Sequence, residues 1–167
     1  MELNRLAPDF ELRGLDGRLY RLGDCRGQIL VVDFWSCDCP HVERTDASLR
    51  AASARWGAGA LLWMVASNAN ESDAALENAS RSRGPFTVLK DAGHRAADLF
   101  GAQVTPEVFV MDRGGVVRYR GAVDDVSLRR RAATRFFAEE AVEALLAGRL
   151  PPVAEVPAFG CAIVRDP

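Results

Sequence analysis

Two cysteines lie close together in residues 36–41, whose sequence is SCDCPH. The apolar run just before them predicts a buried strand, and Pro40 is typical of the first turn of a helix. Unpaired N–H groups at a helix N-terminus stabilise a thiolate and lower the pKa of a cysteine placed there. Asp38 acts in the opposite direction, because a neighbouring carboxylate disfavours the thiolate. The pattern indicates a nucleophile at Cys39, and it leaves the sign of the net pKa shift open.

A thiolate in this place attacks a peroxide oxygen or a disulfide sulfur without a cofactor. The product of that attack needs a second thiol, and Cys37 and Cys161 are the two candidates. Cys161 lies on a proline-rich C-terminal segment that we expect to be extended, mobile and unpacked. There it is either a resolving cysteine or a structural cysteine under the tail, and both readings stay open. Cys25 lies in a turn and receives no role.

A second reading of the same segment is a metal site. Cys37, Cys39 and His41 alternate along the chain and supply two thiolates and an imidazole, a set that suits Cu(I) or Zn²⁺. His94 begins a predicted helix, and we expect it to be a capping or surface histidine. We rank the metal reading below the redox reading, and we expect no metal and no cofactor.

Composition narrows the possible functions. The chain has 167 residues, of which 49% are hydrophobic and 26% charged, as is typical of one globular domain. A formal net charge of −2 gives no basic field for nucleic acid or anionic lipid. The basic run at 129–131, with Arg135 nearby, is expected to be a solvated helix face. No apolar leader or membrane-length run is seen, so we expect a cytoplasmic protein with no membrane contact. In that compartment the cysteines are expected to be redox-active, metal-binding or inert rather than structural disulfides.

The elements that position these residues follow an alternating order. A hairpin with an Asp-Gly turn is followed by strand, helix, strand, helix and strand, and then by a second hairpin and a last helix. This alternation implies a mostly parallel sheet covered by helices. The predicted strands are 10–12, 19–22, 29–35, 61–66, 86–89, 107–112 and 116–120, and the predicted helices are 40–56, 72–83 and 132–146. We expect one domain over 1–167, with 148–167 as an extended C-terminal tail.

Thr105 and Pro106 stand immediately before a predicted strand. An X-Pro bond is the only one in which the cis isomer costs little, and a cis Pro106 would present the Thr105 backbone toward a substrate disulfide. Taken alone, this dipeptide is more often an ordinary trans proline in a loop. The surrounding motifs reverse that preference. In chain order they are APDF at 7–10, the segment 34–42 around Cys39-Pro40, TPEVF at 105–109, YRGAVDD at 119–125 and GCAI at 160–163.

Together these motifs mean that the chain resembles the thioredoxin-fold redoxins of the AhpC/TSA peroxiredoxin-like group over nearly its whole length. The resemblance implies an α/β thioredoxin-like fold with a central mixed sheet flanked by helices, an N-terminal hairpin extension and a C-terminal tail. It also implies that Cys39 lies at the start of the active-site helix and faces a cis proline at Pro106.

The chain departs from the family pattern around the cysteines. In the usual Cys-x-x-Cys pair the second cysteine would match Cys39 and the first would match Ser36, so the first is lost and Cys37 stands one place later. A Cys37–Cys39 disulfide would close a small, strained and oxidising ring. Peroxiredoxins carry Thr or Ser three residues before their peroxidatic cysteine, and Ser36 has that place. Their peroxide-polarising arginine is replaced here by Pro106.

We therefore expect a thiol-based oxidoreductase that carries out disulfide exchange or peroxide reduction. Cys39 is the expected nucleophile, Cys37 or Cys161 the resolving thiol, and Ser36 a hydrogen-bond donor to the thiolate, with Thr105 and Pro106 facing the substrate. The expected partners are a peroxide or disulfide substrate, a thioredoxin- or glutathione-type reductant and a second copy in a homodimer. The alternatives are a copper- or metal-binding module that uses Cys37, Cys39 and His41, and a redox-inert adaptor.

Overall fold

The computed structural model describes residues 1–165, which form ten strands and four α-helices. The strands are β1 (Glu11–Gly14), β2 (Leu19–Arg21), β3 (Ile29–Trp35), β4 (Ala60–Ala66), β5 (Thr87–Lys90), β6 (Val104–Thr105), β7 (Glu107–Met111), β8 (Val117–Gly121), β9 (Glu155–Val156) and β10 (Cys161–Ala162). The helices are α1 (Pro40–Trp56), α2 (Asp73–Arg83), α3 (Arg95–Phe100) and α4 (Phe137–Leu146). Eight strands form one mixed sheet in the order β2, β1, β5, β4, β3, β7, β8, β9, while β6 pairs with β10.

Strand β3 lies at the centre of the sheet and is buried along its whole length. It pairs in parallel with β4 and antiparallel with β7. Its alternate side chains enter two cores, because successive residues of a strand point to opposite faces. Val31 and Trp35 pack with α1, α2 and α4, whereas Val32 and Phe34 pack with α3 and the N-terminal segment. The expected central strand with helices on both faces is confirmed.

Helix α1 follows β3 after four residues and carries the cysteine segment at its start. Cys39 is the N-cap residue with extended backbone angles, and Pro40 occupies the first turn, where its missing N–H leaves no intrahelical bond unmade. Val42, Leu49 and Trp56 are buried against the sheet at helical spacing. The helix ends at Gly57, whose φ of 54° is a conformation that glycine adopts readily. The predicted helix over 40–56 is confirmed.

Helices α2 and α3 are capped by different side chains. Ser72 caps α2 as predicted, because its side chain accepts a hydrogen bond from the Ala75 backbone N–H. His94 occupies the N-cap position of α3, but its side chain makes no capping hydrogen bond and does not lie on the surface. It is buried, and its Nδ1 lies 2.7 Å from the Ser67 carbonyl oxygen. The carboxylate of Asp91 accepts from the first N–H groups of α3 instead. The expectation for His94 was wrong because a nearby carboxylate is the better acceptor.

Helix α4 begins five residues later than predicted. The expected start was Ala132, and the helix starts at Phe137. The Asp125 carboxylate accepts hydrogen bonds from the Thr134 N–H and hydroxyl, which fixes a loop in place of a first helical turn. The basic run 129–131 lies exposed in this loop and not on a helix face.

The C-terminal segment is extended, as predicted, but it is packed and not free. Strand β9 pairs in parallel with β8, and β10 pairs antiparallel with β6. Ile163 is buried in the same core as Val32 and Phe34. Cys161 therefore lies in a paired strand. The expectation of an unpacked tail was wrong, because the free edges of β8 and β6 provide partners for its backbone groups.

None of the helices in the described part of the chain combines the length and the apolar character that a membrane crossing requires.

Candidate active site

Cys39 lies where the N-terminus of α1 meets the loop before β7. Its side chain is almost completely buried, and its Sγ lies 3.2 Å from the carbonyl oxygen of Thr105. The backbone N–H groups of His41 and Val42, in the first turn of α1, favour the thiolate form of this sulfur. A sulfur held between a helix N-terminus and a carbonyl has stabilising contacts in both protonation states, since the N–H groups favour the thiolate and the carbonyl accepts from the thiol.

The pKa of Cys39 is below the ordinary cysteine value. Burial is the largest influence and raises the pKa, but the hydrogen bonds donated by Cys161 and by the backbone of Val42 and His41 together outweigh it. Asp38 lies beside the site but does not reverse this result. The direction of the Cys39 pKa shift, which the sequence alone left open, is therefore downward. Cys39 is the thiol with the greatest thiolate character in the site.

Cys161 is the second thiol of the site. It pairs with Thr105, whose carbonyl oxygen lies against Cys39 Sγ, and it shares the wall of one cavity with Cys39. Burial, hydrogen bonding with Cys39 and the charge of the Cys39 thiolate raise the pKa of Cys161 to about 11. The two cysteines thus form an unequal pair in which Cys39 is the nucleophile and Cys161 holds the proton. Helix α1 itself provides no second thiol for Cys39, because the position three residues later, one helical turn away, is occupied by the buried Val42.

Cys37 is close in sequence but has a different environment. It is buried, and burial together with the neighbouring Glu71 carboxylate raises its pKa to about 12. A thiol with such a pKa carries almost no thiolate near neutral pH, so Cys37 is poorly suited to nucleophilic attack.

The Ser36 hydroxyl does not bond to the Cys39 thiolate as expected. It donates to Glu71 Oε1 at 2.6 Å, and its oxygen accepts from the Asp38 N–H at 3.2 Å. The expectation was wrong because a hydroxyl has one proton, and the buried carboxylate of Glu71 is a strong acceptor within reach.

Glu71 and Arg83 hold the loop before α1 from two sides. Glu71 Oε1 accepts from the Cys37 N–H at 2.7 Å, and Arg83 donates to the carbonyl oxygens of Cys37 and Ser36. Arg83 also pairs with the buried Asp46. Neither residue follows from the local sequence, because both come from the region of α2 and reach the loop only in the folded chain.

Asp33 is a third residue that the sequence reasoning missed. It lies on β3 on the same face as Trp35 and is fully buried. Burial raises its pKa well above the ordinary value, and the negative charges of Asp46 and Cys39 add to that increase. Its signal in the sequence was an acidic residue inside an otherwise apolar strand, which is rare unless the group has a partner or a function.

The bond between Thr105 and Pro106 is cis, as predicted. The Thr105 backbone, however, does not face an open cleft. It pairs with Cys161 in the β6–β10 ladder, so the C-terminal segment occupies the position that we expected for a substrate.

The predicted metal ligands are not brought together. Within residues 1–165, the one group of acidic, cysteine and histidine ligand atoms close enough for a shared ion is Cys37, Asp38 and Glu71, and it contains neither Cys39 nor His41. The His41 ring packs against Phe159, with ring centroids 4.9 Å apart. The Cu(I) set proposed from residue spacing is therefore wrong as a set.

A small cavity of about 120 Å³ opens beside the two thiols. Its walls include Cys39, Cys161, Asp38, Asn68 and Glu71. This cavity gives the site a polar entrance next to Cys39 Sγ.

Comparison with known proteins identifies the family. The model for the AhpC/TSA family matches residues 3–120, more than half of the chain. The chain therefore belongs to the AhpC/TSA family. This result confirms the resemblance expected from the motifs.

Individual relatives agree with this assignment. Peroxiredoxin Q, chloroplastic, of Oryza sativa subsp. japonica is 30% identical over 122 residues, which cover 68% of this chain and 55% of that protein. The thiol-disulfide oxidoreductase ResA of Bacillus anthracis is 25% identical over 118 residues, which cover 70% of this chain and 68% of that protein. The chain thus spans little more than half the length of the rice protein.

The crystal structure of a hypothetical protein from Sinorhizobium meliloti 1021 has the same architecture. It matches with a TM-score of 0.87 and 28% sequence identity, and the match covers 99% of this chain and 96% of that chain. Together with the family match, this likeness confirms the thioredoxin-like fold with its mixed central sheet. The homodimer and the cytoplasmic location stay predictions.

Proposed function

We propose that the protein is a thiol-dependent oxidoreductase that cycles between a reduced Cys39/Cys161 pair and a Cys39–Cys161 disulfide. The observation that carries this proposal is that both cysteines meet at Thr105: Cys39 Sγ lies 3.2 Å from the Thr105 carbonyl oxygen, Cys161 pairs with Thr105 in the β6–β10 ladder, and both line one cavity. The pair joins a thiol of lowered pKa to one of raised pKa, which is the arrangement of an attacking and a resolving cysteine.

With a hydroperoxide as oxidant, the Cys39 thiolate attacks the distal oxygen and the O–O bond breaks. Cys39 becomes a sulfenic acid, and the leaving alkoxide or hydroxide takes up one proton. The Cys161 sulfur then attacks the sulfenic sulfur, which forms the disulfide and releases water. An external dithiol or two glutathione-type thiols restore both cysteines and are themselves oxidised to a disulfide.

Asp33 supports this cycle as a proton carrier. Its carboxyl group lies buried near Cys39 with a raised pKa, so it holds a proton more readily than an ordinary aspartate. Because the thiolate raises that pKa further, loss of the thiolate charge on oxidation favours release of the proton. The carboxyl group therefore releases a proton when Cys39 is oxidised and takes one up when the Cys39 thiolate forms again on reduction.

Disulfide exchange is the second candidate function. It is favoured by the relatedness to a protein named thiol-disulfide oxidoreductase. Both candidates use the same cysteine pair and differ in the first oxidant. Either one needs a compartment that supplies reductant, and for this reason we keep the cytoplasmic location within the proposal.

Peptide mapping of the oxidised protein tests the pair. Fully reduced protein receives one equivalent of hydrogen peroxide or of a disulfide peptide, and the remaining thiols are alkylated at once. We expect a Cys39–Cys161 disulfide, and in Cys161→Ser a Cys39 sulfenic acid that a dimedone probe traps. Cys25→Ser, which alters a buried cysteine remote from the pair, is the matched control and should give the wild-type disulfide.

Two outcomes would contradict the proposal. A disulfide between Cys37 and Cys39 would transfer the resolving role to Cys37. Four cysteines that all remain open to alkylation after both oxidants would remove the redox function and favour the inert adaptor.

A further inference from the structure

We infer that residues 159–164, here called the cover strand, act as a built-in substrate strand that sets specificity: in the reduced protein they admit a small hydroperoxide to Cys39 and exclude disulfides carried on polypeptides. The inference rests on the proposed function, because it names the oxidant of the same cysteine pair.

The cover strand occupies the backbone edge next to the reactive thiol. Cys161 is paired with Thr105 and Ala162 with Val104 in antiparallel register. The Ile163 N–H donates to the Gln103 carbonyl at 2.9 Å. An extended polypeptide that offered its disulfide to Cys39 would use this same edge for its backbone hydrogen bonds. While the cover strand is in place, that edge is taken.

The approach of the cover strand to this edge is very close at Gly160. A Cβ atom added at Gly160 would lie 2.0 Å from the Thr105 carbonyl oxygen, which is a backbone atom that cannot swing away. Only glycine therefore permits the observed packing. On the N-terminal side of Gly160, the Phe159 ring packs edge-to-face on His41 of α1.

The other end of the cover strand is also fastened. The Val164 N–H donates to Asn68 Oδ1 at 2.7 Å, and the Ala69 N–H donates to the Val164 carbonyl at 2.9 Å. Ile163 is buried between these contacts. The strand is thus held at both ends and along its length, and displacing it breaks several backbone hydrogen bonds at once.

The remaining access to the cysteine pair is the cavity of about 120 Å³. Its volume matches a few molecules of the size of water or hydrogen peroxide. The polar side chains on its wall, among them Asn68, Asp38 and Glu71, offer hydrogen-bond partners to a small polar oxidant. The geometry therefore favours the hydroperoxide over the protein disulfide as first oxidant.

The reaction in the closed state needs no displacement of the strand. The Cys39 thiolate takes the distal oxygen of the hydroperoxide, the O–O bond breaks, and the released alkoxide or hydroxide is protonated. Cys161 already lies beside Cys39 on the wall of the same cavity, so it attacks the sulfenic acid and releases water without a search.

The test compares two oxidants in two glycine variants. Gly160→Ala forces the cover strand away from Thr105, whereas Gly93→Ala is the matched control, because a Cβ at Gly93 meets no atom within 4 Å. Single-turnover oxidation of Cys39 is followed by rapid alkylation and mass spectrometry, once with hydrogen peroxide and once with a short disulfide-bonded peptide. Hydrogen exchange at the Ile163 amide reports whether the strand has opened.

For wild type and Gly93→Ala we expect rapid oxidation by hydrogen peroxide and slow oxidation by the peptide. In Gly160→Ala the peptide rate should rise in proportion to the open fraction, by roughly ten-fold for a ten-fold increase in opening. The peroxide rate should stay equal or fall, because Cys39 loses the hydrogen bonds of Cys161. Simple destabilisation of the fold would change both rates of Cys39 oxidation in the same direction, so a faster reaction with the peptide and a slower one with peroxide would not be explained by it.

Phe159→Ala is a second variant for the case in which Gly160→Ala does not fold. It removes the contact with His41 and leaves both thiols and the strand backbone in place. Two results would overturn the cover-strand inference alone. One is a wild-type Cys39 that is oxidised equally fast by hydrogen peroxide and by the peptide. The other is faster hydrogen exchange at the Ile163 amide without faster oxidation of Cys39 by the peptide. A Cys39 that reacts with neither oxidant in any variant would overturn the proposed function as well.

Discussion

At the scale of single residues, the two neighbouring thiols differ in chemistry because their pKa values are shifted in opposite directions. Hydrogen bonding with Cys161 is among the causes that lower the pKa of Cys39, whereas burial and the Cys39 charge raise that of Cys161. The predicted identities of Cys39 and Pro106 followed from their own neighbours along the chain. The identity of Cys161 as the partner could not be chosen over Cys37, because nothing in the local sequence shows that a segment so far away returns to α1.

Replacing Cys161 with alanine should raise the pKa of Cys39. The side-chain donor is lost and burial remains, so the thiolate becomes less favourable. Alkylation of Cys39 near neutral pH should then slow by roughly ten-fold, the equivalent of the ~1.4 kcal/mol that one hydrogen bond to a charged group contributes. Rates of iodoacetamide labelling against pH, read peptide by peptide, measure this. An unchanged rate profile for Cys39 would show that the backbone donors alone set its pKa.

Asp33→Asn should make the protein more stable at alkaline pH and flatten its pH dependence. The pKa of Asp33 is higher in the folded state than in the unfolded chain, so the folded state binds the extra proton. Stability from this group is present below the ordinary aspartate pKa and is lost as pH rises through the folded-state value. The variant should gain about 1–3 kcal/mol in the free energy of unfolding at about pH 8 and little at about pH 4.

Urea unfolding of wild type and Asp33→Asn at both pH values provides the measurement. Asp46, whose pKa is raised to about 6 mainly by burial, is charged at the higher pH and adds to the raised pKa of Asp33, so part of the gain in Asp33→Asn comes from relief of this repulsion. If Asp33→Asn were less stable than wild type at both pH values by the same amount, packing and not charge would govern this position.

At the scale of elements, the loop between β3 and α1 is shaped by residues from outside it. The strand and the helix were predictable, because continuous apolar residues, Pro40 and the final glycine mark them directly. The hydrogen bonds of Glu71 and Arg83 to the loop were not predictable, since they depend on how α2 packs beside α1. The start of α4 was misplaced for a similar reason, because Asp125 holds the preceding loop through Thr134.

Glu71→Gln should make Cys37 more reactive. Burial is the larger cause of the raised Cys37 pKa and remains, but the charge of Glu71 adds to it and is removed. The pKa should therefore fall from about 12 without reaching the ordinary cysteine value. Labelling of Cys37 at mildly alkaline pH should become faster. Glu77→Gln, an exposed change on α2, is the matched control and should leave the rate as it is.

At the scale of the whole molecule, the cysteine pair connects the first long helix to the last strand of the described chain. A Cys39–Cys161 disulfide would close a loop that contains most of the protein. The fold that brings these ends together was predictable in outline from the order of elements and from the family motifs. The pairing of the tail was not, since two-residue strands carry too few residues to show a period.

Oxidation should consequently stabilise the whole fold. In the chain-entropy account, a disulfide that closes a loop of this size restricts the unfolded chain by up to roughly 4–5 kcal/mol. We expect the urea midpoint of the oxidised wild type to exceed that of the reduced protein. Cys161→Ser should show no difference between oxidising and reducing conditions. A lower midpoint for the oxidised form would mean that the disulfide strains the native state by more than this amount.

The pairing of β10 with β6 also bears on how the protein is made. The ribosome synthesises Cys161 after every other strand and helix among residues 1–165, so the rest of the sheet has emerged before the cover strand exists. During that interval the edge of β6 has no partner, and Cys39 lacks the donors that Cys161 supplies. Among the described residues, the reactive centre is therefore completed only after the rest of the sheet has been synthesised.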